Sequence, residues 1–146
     1  MTAGAKSWDR LLTRDIDPRA SSLDSLAIDG DTVTIRLAPA YVLAAGPEPA
    51  KEGGSGWSVD AEIAFCGATA AAVPAALPCW IADGFVGLSG CARMQLVALP
   101  TTVDGDLTAY FLLASGEELL VKARRMEVRQ RGEPELVEEI GPEHWR

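Results

Sequence analysis

Strict alternation of apolar and polar positions organises this chain, most clearly over residues 57–66. Trp57, Val59, Ala61, Ile63 and Phe65 form one face there, while Ser58, Asp60 and Glu62 form the other. Successive side chains of a strand point to opposite faces, so a period of two predicts a strand with one buried and one wet side. Residues 32–37 repeat the pattern, with Val33, Ile35 and Leu37 opposed to Thr32, Thr34 and Arg36. Asp29-Gly30 introduces that run, and Asp104-Gly105 introduces a second β-prone run at 107–114. An Asp-Gly pair in this setting predicts the tip of a tight hairpin. Ser115-Gly116 predicts another turn, leading into a strand over 117–128. Within it the apolar phase slips from Leu119, Val121 and Ala123 to Met126 and Val128. A one-residue slip predicts a β-bulge, placed near Arg124-Arg125.

Other segments follow different rules. Trp8, Leu11 and Leu12 recur at helical spacing behind Ser7, a good N-cap, and Asp9 suits the first turn. They predict a short amphipathic helix at about 7–14, ending before Asp17-Pro18. Glycine and proline crowd residues 44–56, which read as a mobile loop. Residues 91–99 are apolar on both faces except at Arg93 and Gln95, as in a covered strand. The alanine- and proline-rich segment 67–90 resists assignment; a short helical turn or coil near 70–76 and a strand from Trp80 are the reading. A short edge strand is expected at 136–140 and a frayed tail at 141–146. The fold class expected is mainly β (α+β by the short N-terminal helix). One domain over 1–146 would hold an antiparallel sheet of about seven strands, curled into a barrel or sandwich.

Composition narrows the partners. An apolar content of 48% supplies a real core, so globular order is expected rather than disorder. The net charge of −8 opposes nucleic acid and anionic membranes, both of which require clustered Lys and Arg. A basic protein partner suits that charge. The longest uncharged run, 63–82, is broken by Gly67, Pro74 and Pro78 and is poor in large apolar side chains, so it does not read as a membrane span. No apolar stretch follows Lys6, and a cytoplasmic protein is expected. Ten arginines against three lysines fit a GC-rich bacterial coding bias. Oligomeric state is not legible.

Several chemistries can be weighed residue by residue. Cys66, Cys79 and Cys91 lack the paired spacing of a zinc site and read as small hydrophobes. Asp29 with Asp31, and Asp104 with Asp106, have no further carboxylate near enough to complete a calcium loop; turn chemistry accounts for them. No metal or cofactor is expected. His144 is the sole histidine and lies near the C-terminus, a poor place for a general base. The run 87–91 resembles a nucleophile elbow only in part, and 53–56 lacks the lysine of a phosphate loop. Asp60 and Glu62 could act as a carboxylate pair, yet they fit a solvated strand face better. Arg93, Arg124 and Arg125 could hold a small anion, or pair with Glu117, Glu118 or Glu127.

Trp80, Asp83 and Phe85, beside Gly84 and Gly87, are the candidate binding residues. Aromatics interleaved with glycine line pockets and make interface hot spots, although they also fill cores where strands curve. The leading expectation is a small acidic binding or interaction protein that sequesters a basic partner, with no catalytic residues. The alternative is a β-barrel carrier of a small apolar ligand lined by Trp57, Trp80 and Phe85. A carboxylate-based enzyme stands third.

Overall fold

The alternating runs become strands, and the strands join in one antiparallel sheet. The computed structural model describes residues 8–71 and 73–144. Its strands are β1 (Thr13–Asp17), β2 (Ser22–Asp29), β3 (Thr32–Ala45), β4 (Gly54–Cys66), β5 (Thr69–Ala71), β6 (Cys79–Leu88), β7 (Val97–Ala98), β8 (Thr101–Leu113), β9 (Glu118–Gln130) and β10 (Glu135–Ile140). Ten strands thus replace the expected seven, the extra ones being short and weakly patterned.

Six of them close a ring. β2 pairs with β3, β3 with β4, β4 with β9, β9 with β8, and β8 with β6. β6 returns to β2 through Ser22 opposite Trp80 and Leu23 opposite Cys79, a seam of two residue pairs. The antiparallel sheet is therefore curled into a barrel. Phe65, Phe111, Ile35, Ile63, Leu113, Leu119 and Met126 fill its interior, each almost fully buried. A barrel of so few strands has room for side chains and not for a ligand.

β3 and β4 outrun this ring. Their far halves pair with β1 and β10, and β1 pairs with β7, giving a smaller sheet ordered β7-β1-β3-β4-β10. The register shifts between Leu37 and Ala40, where Pro39 has no N–H for the ladder. Among the described residues the outer edge of β10 has no strand partner. Glu135 and Glu138 place charge along it, which discourages edge-to-edge pairing.

The sequence reading needs correction at several places. Ser7, the expected N-cap, lies outside the described residues. Trp8–Arg10 forms only a 3-10 turn, and β1 begins at Thr13. Eight residues make too short a helix to offset its nucleation cost, whereas a strand there gains the edge of β3. The loop after β3 shortens to 46–53 and is tightened by a helical turn, Pro49–Glu52, closed by Glu52 and Gly53 amides on the Glu48 and Pro49 carbonyls. Of 91–99 only Val97–Ala98 is strand. The backbone turns at Ser89-Gly90, while Val97 and Leu99 still reach the core. Thr69–Ala71 is a short strand where the expected helical turn or coil was to begin.

Asp29-Gly30 is the hairpin tip, with φ 60° at the glycine. Asp104-Gly105 is not: it lies inside β8, where the ladder to β9 shifts between Asp104 and Leu107. Arg124 and Arg125 face that shift and are both exposed. The slip read at Arg124-Arg125 and the Asp-Gly pair are two sides of one bulge.

Tyr41 of β3 spans Gly56 of β4 and donates its hydroxyl to Glu138 of β10. Burial pushes its pKa above the ordinary tyrosine value, and the Glu138 and Asp17 carboxylates add to this. A folded pKa above the unfolded one means the contribution is complete below about pH 10 and is lost as pH rises further. Chemical denaturation between pH 8 and 11 should show stability falling at the alkaline end, less steeply in Tyr41→Phe. An unchanged slope in that variant would remove Tyr41 from the account.

Candidate functional site

β6 carries all three candidate residues, and a ladder irregularity decides which way they face. Ile81 and Val86 point into the barrel. The register slips between Ile81 and Asp83, so Ala82 and Asp83 are both exposed. Trp80, Asp83 and Phe85 therefore stand on the outer wall, while Gly84 faces the core against Phe111 and Pro18. Trp80 is 55% exposed, which rejects a core role for it. Trp57, by contrast, is buried, edge-on to Trp8 with ring centroids 5.3 Å apart, and donates Nε1 to Ser55 at 2.7 Å. Trp57, Trp80 and Phe85 thus share no pocket.

The wall around them has two electrical ends divided by an aromatic row. Phe85, Tyr110, Leu120 and Ala71 lie side by side across β6, β8, β9 and β5. The Phe85 and Tyr110 rings are 5.6 Å apart, and the Tyr110 hydroxyl donates to Glu118. That hydrogen bond, with burial and the nearby Glu118 and Asp83 charges, raises the Tyr110 pKa. The next row toward Trp80 holds Asp83, Leu112 and Glu118. Trp80 accepts the Ala114 amide through its carbonyl at 2.8 Å, which sets it beside the 114–117 turn and Glu117. This end is acidic.

The opposite row reads Gly87, Thr108, Lys122 and Thr69. Here the chain doubles back after β6, with Val86 and Met94 exchanging amide bonds of 2.9 and 2.7 Å. That return lays Arg93 over Phe85, 4.3 Å from the ring centre. An open groove of about 650 Å³ results, lined by Phe85, Gly87, Arg93, Thr108, Lys122 and Arg124, with the exposed Cys91 on its rim. This end is cationic. Of the three arginines weighed as anion holders, Arg93 and Arg124 line this groove and Arg125 does not; Lys122 escaped the reading, because an outward cation opposite a glycine across two strands leaves no local pattern in the sequence.

The other weighed chemistries resolve into ion pairs. Asp60 receives Arg36 at 3.3 Å, and Glu62 receives both Nε and an Nη of Arg131 at 3.2 and 3.0 Å. Carboxylates engaged this way on an exposed wall are poor acid/base candidates. Asp104 pairs with Arg125 and Asp106 with Arg124, so the arginines meet the bulge carboxylates and Glu127 rather than Glu117 or Glu118. His144 is exposed, 3.9 Å from Glu143. Among the described residues, no three of His, Cys, Asp or Glu gather as a metal-holding group. No helix among them is long and apolar enough to cross a membrane.

The chain matches no protein-family model, no curated protein and no solved structure.

Proposed function

We propose that this is a cytoplasmic binding protein that captures a basic protein partner on the acidic end of the outer wall. The observation that carries this reading is Trp80, a large half-exposed ring on the strand that carries Asp83, its carbonyl bonded to the turn that leads into Glu117 and Glu118. Exposed tryptophan anchors enter partner pockets and supply much of the binding energy, while surrounding charge sets the encounter rate. The chain's net charge of −8 supports steering of a basic surface. Three free thiols suit a reducing compartment.

The carrier reading has less support, because the barrel interior is packed with side chains. Affinity capture from the native cell extract, run in parallel with Trp80→Ala and Asp83→Lys, tests the proposal. Trp80→Ala should change the unfolding free energy by no more than about 0.5–1 kcal/mol, since the ring is mostly outside the core. A basic protein retained by the native chain should be lost from both variants. Association of that purified pair should slow steeply between 0.05 and 0.5 M salt, concentrations chosen to span strong and weak screening. Equal capture by all three chains would sink the proposal.

A further inference from the structure

We infer that the cationic end of the same wall is a second binding site, for a small ligand joining an anionic group to a flat apolar ring. This inference is independent of the protein partner, whose surface lies beyond the Phe85–Tyr110 row. Three cations, Arg93, Lys122 and Arg124, line the groove against one lining carboxylate, Asp106. In a chain of net charge −8 such a concentration of positive charge is against the trend. Among the described residues neither Arg93 nor Lys122 has a carboxylate partner. Arg124 meets Asp106 at 3.5 Å, with both side chains about three-quarters exposed. An ion pair that open is weak, so an anion can recruit Arg124 at little cost.

The geometry also says where each part of a ligand sits. Gly87 and Lys122 lie in one row two strands apart, so their backbones are roughly 10 Å from each other. That gap is floored by Gly87 and Thr108, and the absence of a side chain at Gly87 keeps it open. A phosphate or carboxylate group between Lys122 and Arg124 would find charge-assisted donors, with the Thr69 and Thr108 hydroxyls beside them. Phe85 forms the opposite wall. Half-buried Phe85 holds the Arg93 guanidinium over its ring, and that guanidinium plane offers stacking and cation–π contact to a ligand ring.

Phenyl phosphate, inorganic phosphate and phenol separate these contributions. Each is titrated into the ¹⁵N-labelled full chain while amides of residues 85–93 and 122–124 are followed. Phenyl phosphate should saturate and bind about tenfold more tightly than inorganic phosphate, and phenol should leave the groove unmoved. Occupancy should slow alkylation of Cys91 while leaving Cys66 and Cys79 unaffected. Lys122→Gln should weaken phenyl phosphate about tenfold, by removing a charged hydrogen bond. Gly87→Val should block it by filling the floor, where an added Cβ meets nothing nearer than 3.8 Å. Lys122 is exposed, so that variant keeps the fold and reads the site even if Gly87→Val is destabilised. Non-saturating shifts, equal binding of phosphate and phenyl phosphate, or indifference to Lys122→Gln would each overturn the inference.

Discussion

Phe111→Ala should lower the unfolding free energy by about 3–5 kcal/mol, the range for removing a large ring from a core that cannot collapse around the void. Phe111 is 1% exposed near the C-terminal end of β8. Its ring lies against Gly84, where an added Cβ would come within 2.9 Å of Cδ1 and 3.2 Å of Pro18. Gly84, opposite Phe111 in the ladder, has no side chain that could move into the void. The Phe111 ring also braces β6 where the barrel is held to β2 by only two residue pairs. Denaturant melts of the variant should show a lower midpoint with an unchanged slope. A loss below about 1 kcal/mol would mean that the barrel interior is looser than described.

The long strands were legible because one face of each is buried. Val33, Ile35 and Leu37 in β3, and Val59, Ala61, Ile63 and Phe65 in β4, alternate without interruption and are all buried. Register follows from such a pattern, since a slip of one residue would expose the whole set. Asp104-Gly105 was misread because the same dipeptide serves a hairpin tip or a bulge. What decides between them is a partner strand on the other side, which is a non-local fact. The phase slip at Arg124-Arg125 was that fact, visible in the sequence but unassigned to its partner. Gly105 fits the bulge through φ 135° and the approach of Leu88, whose Cδ1 would lie 2.7 Å from an added Cβ.

The candidate site was legible only by half. Trp80, Asp83 and Phe85 do share the outer wall, yet the alternation that placed other side chains fails in β6 because of the slip at Ile81/Asp83. Pattern alone therefore could not show Trp80 facing out. The groove draws Phe85, Arg93, Thr108 and Lys122 from strands and a loop scattered through the chain, and only the ring of pairings unites them. Charge along the sequence is mixed; charge on the wall is sorted.

Gly56→Ala should cost about 2–3 kcal/mol, although it adds a single methyl group to a strand. The added Cβ would fall 2.0 Å from the Tyr41 hydroxyl oxygen and 2.6 Å from Cζ. Gly56 has no unusual φ, so the penalty comes from the ring across it and not from backbone strain. Tyr41 would have to swing away, surrendering its hydrogen bond to Glu138 and loosening β10 from β4. A double-mutant cycle isolates that cause. In a Tyr41→Ala background the ring is gone, and Gly56→Ala should then be nearly neutral, since alanine costs a strand less than glycine does. Amide exchange should report the same sequence of events, with residues 135–140 of Gly56→Ala losing protection before β8 and β9. Equal costs of Gly56→Ala in the two backgrounds would show that something other than Tyr41 demands glycine there.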